Sequence, residues 1–241
     1  SGAADSLIAS FDFDKEAEEG GFVGGGAKAS GTYTLQEHNG GYALYLNGSQ
    51  FLNVSAENGE SLLTGKEEIT VSYDAKAAKG DKSWTFYAAP NGNTQTYQQE
   101  HYLGVLHTTG GINVERYHNT GTRPQNNLEA TSSNEWMHVD VVVTEGETRL
   151  YVNGELEDQS DSDYLLTDIL GDNSVLQIGK ANWESGEYYA GWLDNYRIYE
   201  KALTEEEIQE QYAEFAAQND PMQQAYNELT ILDADDVRGN L

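Results

Sequence analysis

The run Gly111 to Asn126, GINVERYHNTGTRPQN, puts one kind of chemistry on one side of a strand. Successive strand residues point to opposite faces, so Ile112 and Val114 face a core while Asn113, Glu115 and Tyr117 face away together. Arg116 falls on the apolar side, where it either sits at the strand end or meets a carboxylate. The loop that follows adds Asn119, Arg123, Gln125 and Asn126. A second set lies between Trp183 and Tyr189, where Trp183, Tyr188 and Tyr189 are interleaved with Glu184 and Glu187. A loop has less reason than a strand to carry core aromatics, which makes Trp183, Tyr188 and Tyr189 stacking candidates. His101 and His107 are placed at the same end, and Trp84 and Tyr102 are read as core aromatics. Aromatic faces meet the C–H face of a sugar, and amide, carboxylate and guanidinium groups pair with its hydroxyls. The candidate ligand set is therefore Glu115, Tyr117, Asn119, Arg123, Trp183, Tyr188, His101 and His107.

Catalysis needs a different constellation. A pair of carboxylates flanking a glycosidic bond from one strand would read Glu-x-Asp-x-Glu or one residue longer, and no strand carries it. The nearest acidic runs, Glu155-Leu156-Glu157-Asp158 and Asp161-Ser162-Asp163, fall at a strand end and in a loop. Gly-x-Ser-x-Gly, His-Glu-x-x-His and phosphate-loop motifs are missing as well.

The elements that must position these residues are mostly strands. Trp136 to Gln159 has Met137, Val139, Val141 and Val143 on one face, a break at Glu145-Gly146, Leu150 and Val152, and a second break at Asn153-Gly154. That pattern predicts a three-strand antiparallel meander, with Asn-Gly in a type I′ turn. Other strands are expected at Leu7 to Phe13, Ile69 to Ala75, Trp84 to Ala88, Tyr102 to His107, Ile112 to Tyr117, Val175 to Ile178 and Gly191 to Tyr199. Tyr42 to Leu46 and Phe51 to Val54 read as a hairpin across Asn47-Gly48. Gly20 to Gly31 carries six glycines and reads as a loop or irregular edge, and His118 to Asn134 as a polar loop. The one convincing helix is Thr204 to Ala217: Thr204 and Glu207 form a capping box, and Leu203 and Ile208 a hydrophobic staple. Ile208, Tyr212 and Phe215 share the face that packs back on the strands.

The chain has 241 residues, no cysteine and a net charge of −28 from 41 acidic and 13 basic residues. Phosphate backbones and anionic lipids need cationic neutralisation, so neither nucleic acid nor an anionic lipid surface is an expected partner, and without a run of 18 apolar residues membrane insertion is not expected either. Solubility of an exported protein accounts for most of the acidic excess. The lack of cysteine excludes disulfides and thiol catalysis, and leaves both a disulfide-free exported bacterial protein and a cytosolic one open.

Five segments carry a resemblance: Phe11-Asp12-Phe13-Asp14; Tyr45-Leu46-Asn47-Gly48 with Phe51-Leu52; Trp136-Met137-His138-Val139; Leu150 to Glu155; and Gly191 to Tyr199 with Ala202 to Ile208. The chain resembles the bacterial laminin-G-like, concanavalin-A-like jelly-roll domains. The resemblance implies an all-β fold, a two-sheet antiparallel jelly-roll sandwich with one C-terminal helix packed on it, over residues 1–216. Residues 217–241 look like a linker and the truncated start of an atrophied bacterial Ig-like domain, as found beside such jelly rolls in secreted glycoside hydrolases. The implied function is a non-catalytic carbohydrate-binding module, monomeric, tethered to a catalytic domain and secreted or held at a bacterial cell surface. Glu115-Arg116-Tyr117, Asn119, Gly121 and Arg123-Pro124 are similar to jelly rolls of enzymes acting on fructans and arabinans. An adhesion or protein-interaction module of laminin-G type is the alternative, and a glycoside hydrolase in its own right a third. Members of the family commonly hold a structural calcium, Ca2+. The matching positions are Asp12 or Asp14, Asn47 (where an Asp is usual) and Asp194, unless these residues merely cap strand ends.

Overall fold

The computed structural model describes residues 2–92, 99–119 and 127–220, together with 222, 225, 226 and 229. Sixteen strands follow in order: β1 Leu7–Phe11, β2 Phe22–Gly24, β3 Ala27–Gly31, β4 Thr34–His38, β5 Gly41–Asn47, β6 Leu52–Ala56, β7 Ile69–Ala77 and β8 Trp84–Pro90; then β9 Tyr102–His107, β10 Gly111–Tyr117, β11 Asn127–Thr131, β12 Met137–Val143, β13 Glu147–Val152, β14 Glu155–Asp161, β15 Ser174–Ile178 and β16 Ala190–Tyr199. The helices that lie wholly within the described residues are α1 Gly2–Asp5, α2 Leu166–Leu170 and α3 Glu205–Asn219. Sheet I runs β14-β13-β12-β7-β16-β5-β4, with β1 also against β16; sheet II runs β11-β10-β9-β8-β15-β6-β3-β2. All pairings are antiparallel, and the inner faces of the two sheets meet in one core that includes Phe11, Leu44, Val71, Phe86, Val105 and Val114. The two-sheet antiparallel sandwich agrees with the expected jelly roll.

The meander forms as the apolar alternation requires, with Val139 opposite Val152 and Val141 opposite Leu150. Its Asn153-Gly154 turn has φ of 51° and 80°, the positive pair of a type I′ hairpin. The other Asn-Gly turn behaves differently. β5 belongs to sheet I and β6 to sheet II, so Asn47-Gly48 is a crossing between sheets and not the expected hairpin. The Asn47 side chain fixes the corner by accepting hydrogen bonds from the backbone N–H and hydroxyl of Ser49, both at 2.9 Å. The glycine-rich segment 20–31 holds two short strands, the edge strand β2 and its neighbour β3, and the expected polar loop after β10 includes β11. α3 runs past residue 216 to Asn219, and residues 230–241, where the Ig-like start is expected, lie outside the described residues.

Two buried charged groups hold the sandwich. Arg116 points inward from β10, and no carboxylate receives it. Instead its guanidinium donates to the carbonyls of Glu145, Glu147 and Tyr164 and to the Thr148 hydroxyl, at 2.7–3.2 Å. It thereby ties sheet II to the β12–β13 turn of sheet I. On the outward face of sheet I, His138 lies between Asp74 (Nδ1 to Oδ1, 2.8 Å) and Asp140 (Nε2 to Oδ2, 2.9 Å). Helix α3 closes over this group. Its capping box is formed, Phe215 lies 5.8 Å from the His138 ring, and Gln211 accepts from Ser72 and donates to the Tyr199 hydroxyl. Burial opposes a charge on His138, but the carboxylates of Asp140 and Asp74 overcome it and push the imidazole up to about 10.

Two outcomes are expected. A histidine whose pKa rises on folding contributes stability that is complete below its unfolded value and lost as pH climbs through the folded one. The stability difference between the natural chain and His138→Gln, measured by denaturant unfolding, should therefore shrink between pH 6.5 and about 10. A constant difference would show that His138 is uncharged in the fold. Arg116→Leu should destabilise by about 2–4 kcal/mol, because it strands buried carbonyls without a donor. Unfolding within about 0.5 kcal/mol of the parent would contradict the inter-sheet clamp.

Candidate functional site

The outward face of sheet II carries a packed group of rings. In β8, Trp84 pairs with Leu106 and Phe86 with Val105, so Thr85 is an extra residue against one partner and the strand is bulged. The bulge turns Trp84 onto the same outward face as Tyr87, while Phe86 faces the core. From β9, Tyr102 joins them, and Gly104 leaves the space that the indole fills. A Cβ at residue 104 would stand 2.3 Å from Cζ3 of Trp84. The segment after β15 folds back through hydrogen bonds from Ala181 N to Gly186 O and from Gly186 N to Trp183 O. It lays Trp183 on the group, with ring centroids 5.2 Å from Trp84, 5.4 Å from Tyr87 and 5.6 Å from Tyr102, all steeply inclined. Tyr117 closes the row 5.0 Å from Tyr102. These edge-to-face contacts are the arrangement that ring quadrupoles favour.

The polar edges of the rings are tied to acids and amides. Trp84 Nε1 donates to Glu187 at 3.0 Å, Tyr102 donates to Glu115 at 2.7 Å, and the Tyr117 hydroxyl donates to the Asn127 amide oxygen. Beside them opens a cleft of about 630 Å3, walled by Trp84, Tyr102, Leu106 and Trp183 and by Lys82, Gln99, Glu115, Glu184, Ser185 and Glu187. Three carboxylates against one ammonium disfavour an anionic ligand and offer acceptors to hydroxyl groups.

Of the residues singled out in the sequence, Glu115 and Trp183 line this cleft and Tyr117 lies against its Tyr102 wall. Trp183 is only 9% exposed: its loop packs it into the ring group and does not hold it out as a free platform. Trp84 and Tyr102, expected in the core, are equally buried but on the outer side of sheet II, where the β8 bulge and strand alternation put them. His107 does not reach the cleft. It follows Leu103 and Val105 on the inward face, with Nδ1 3.3 Å from the Tyr73 hydroxyl and Nε2 3.3 Å from Ser132, and burial pulls it down to about 4. Tyr188 turns to the other flank of its loop, against Phe51 and under Lys180. His101 and Asn119 gather around His118, which stacks on Tyr164, and they are not among the cleft walls. Arg123, with Gln125 and Asn126, lies outside the described residues.

The residues assigned to calcium do not converge. Asp12 accepts from the Asp14 backbone N–H, and Asp14 accepts from the N–H of Tyr42 at the start of β5. Asp194 is near: burial, and after it the charges of Asp74, Asp14 and Asp12, push its carboxyl up to about 8 against the Asn195 N–H bond that lowers it. Asn47 is at the opposite end of β5, about 17 Å of extended chain from Tyr42, with its amide oxygen committed to Ser49. Among the described residues no three His, Asp or Glu side chains are placed to hold an ion. Asn47 therefore does not fit a site shared with Asp12 or Asp14 and Asp194.

Comparison with known proteins agrees with this architecture. The sequence profile of the concanavalin A-like lectin/glucanases superfamily, Laminin_G_3, matches residues 48–209. Domain 4 of AbnA, a GH43 extracellular arabinanase from Geobacillus stearothermophilus solved in complex with arabinotriose, is similar with a TM-score of 0.61 and 19% identity; 85% of this chain covers 97% of that one. The binding domain of botulinum neurotoxin DC in complex with rat synaptotagmin II gives a TM-score of 0.57 at 14% identity, and that of Paraclostridial Mosquitocidal Protein 1 gives 0.60 at 16%. Both matches cover 88% of this chain, which spans about half of each toxin domain, 52% and 53%. At these identities the structural likeness establishes the fold alone, whereas the profile covers most of the sandwich. The chain belongs to the Laminin_G_3 family of the concanavalin A-like lectin/glucanases superfamily.

Proposed function

We propose that this domain is a non-catalytic carbohydrate-binding module whose site is the cleft on sheet II. The observation that carries the reading is the composition of that cleft, in which Trp84, Tyr102 and Trp183 meet Glu115, Glu184, Glu187 and Gln99 around about 630 Å3. Apolar ring surface suits the C–H face of a sugar, and carboxylates and amides suit its hydroxyls. The acidic walls and the net charge of −28 favour a neutral glycan over a uronate or sulfated one. An arabinan or fructan is the first candidate, supported by the arabinotriose bound to the similar arabinanase domain. In this reading the module is bacterial and extracellular, monomeric, and tethered to a glycoside hydrolase. It would hold that enzyme at its polysaccharide by raising effective concentration. No helix of the described residues is long and apolar enough to cross a membrane.

A protein receptor is the second reading, favoured by the similar toxin domain that is bound to synaptotagmin II. The two readings differ in what competes: sugar-dependent retention is displaced by free oligosaccharide, and protein binding is not.

In affinity electrophoresis through arabinan, fructan and β-glucan gels, one neutral polysaccharide should retard the chain. Glu115→Gln, which keeps the side-chain shape, should weaken that binding by about tenfold, or roughly 1.4 kcal/mol. Unchanged mobility of the variant would remove the cleft from consideration. Gly104→Ala should displace the Trp84 indole, lowering stability by about 1–3 kcal/mol and weakening the same retardation. Full retention of both would show that the indole position is immaterial.

A further inference from the structure

The outward face of sheet I carries rings that the cleft does not use. Tyr45 of β5 pairs with Trp192 of β16, and Trp192 with Lys76 of β7. Met137 pairs with Ala75, which sets the preceding residue, Trp136, beside Lys76. Tyr45, Trp192, Lys76 and Trp136 thus form one row across four adjacent strands, each spacing about 4.8 Å. The row has the span of a short oligosaccharide and exceeds a single ring. All four side chains are half-buried, so they are held in place yet open to solvent, unlike Trp84 and Trp183 at 2% and 9% exposure.

The surroundings of the row are polar and planar. The Tyr45 and Trp192 rings lie 5.1 Å apart, Lys76 Nζ is 5.7 Å from the Trp192 ring, and Trp192 Nε1 donates to the Gln36 amide oxygen at 2.7 Å. His38 stacks on Trp136 at 4.1 Å and with Gln36 and Glu37 encloses a pocket of about 80 Å3 between the two tryptophans. Glu37 and His38 also line a groove of about 440 Å3 together with Tyr42, which is 39% exposed. Helix α3 covers the same face over Ser72 and His138.

We propose that this row is a second glycan-binding surface, on the face of the sandwich opposite the cleft, and that it takes a neutral oligosaccharide of at least three residues. Fixing the indole edge through Gln36 presents the ring for C–H stacking, and Gln36, Glu37 and Lys76 supply acceptors and a donor for hydroxyls. Among the described residues no aliphatic side chain lines the pocket beside the row, which distinguishes it from the apolar centre of a protein interface. Glu37 and the overall charge of −28 oppose an acidic glycan. With sites on both faces, one chain bridges two polysaccharide strands.

The test is calorimetric titration of the 241-residue chain with arabinotriose and with neutral arabinan, fructan and β-glucan oligosaccharides, beside a turbidity assay with the parent polymers. The natural chain should bind two oligosaccharides per molecule and cloud the polymer solution. Trp192→Ala should lose one event, weakened by about tenfold or more, and should no longer cross-link. Tyr45→Ala is the second variant should Trp192→Ala fail to fold, and Glu115→Ala should remove the other event. A single event lost with Trp192→Ala and untouched by Glu115→Ala would sustain this surface and reject the cleft. One event lost only with Glu115→Ala, two events that survive both aromatic variants, or no heat with any sugar would overturn the proposal.

Discussion

Each sheet of a sandwich has two faces, and the shared core can cover only one face of each. The structure solves the remaining two faces in different ways. On sheet I, helix α3 lies over part of the outward face, with its Ile208 and the preceding Leu203 against Val142, Tyr151 and Tyr199. The charged His138 lies beneath it, held between two acids as a buried imidazolium must be. On sheet II seven buried residues, most of them aromatic, pack over the outward face themselves. The cleft exists because that covering is made of rings, which pack edge to face and leave a walled depression beside them.

One extra residue governs the second solution. Without the bulge at Thr85, strict alternation would put Trp84 on the same side as Phe86 and Ala88, inside a core that is already filled. With it, Trp84 joins Tyr87 outside, Thr85 donates to the Val105 carbonyl, and the Thr85 carbonyl accepts from the buried Tyr196 hydroxyl at 2.8 Å. A backbone irregularity in sheet II thus satisfies a polar group of sheet I and at the same time builds a wall of the cleft. Gly104 is the matching concession on the neighbouring strand.

The strands and the capped helix were legible because alternation and capping are local. The meander, β9, β10 and α3 all follow from patterns within a dozen residues. The destination of a turn is not local: Asn47-Gly48 makes a tight corner whether the chain stays in its sheet or leaves it. β2, β3 and β11 escaped because glycine and polar side chains hide the alternation of strands at and next to a sheet edge. In the site, Glu115 was readable from the alternation of β10. The same alternation in β9 places His107 with Leu103 and Val105, a signal of burial that was present and overlooked. Trp84 was not readable, since nothing in its neighbours announces a bulge. Trp183 was readable as a loop residue but not as a packed one, because the fold-back of residues 181–186 depends on hydrogen bonds between backbone atoms.

The four tryptophans of the chain divide into two pairs on opposite faces, Trp84 with Trp183 and Trp136 with Trp192. The first pair holds its indoles 5.2 Å apart at 77°, close enough and skewed enough for their electronic transitions to mix. The second pair sits half in water beside a lysine and a histidine, groups that dim indole emission. The domain therefore carries two optically distinct native reporters. The near-ultraviolet dichroism reads the integrity of the rings on sheet II, and the emission reads the polarity of the face on sheet I, with no label attached to either.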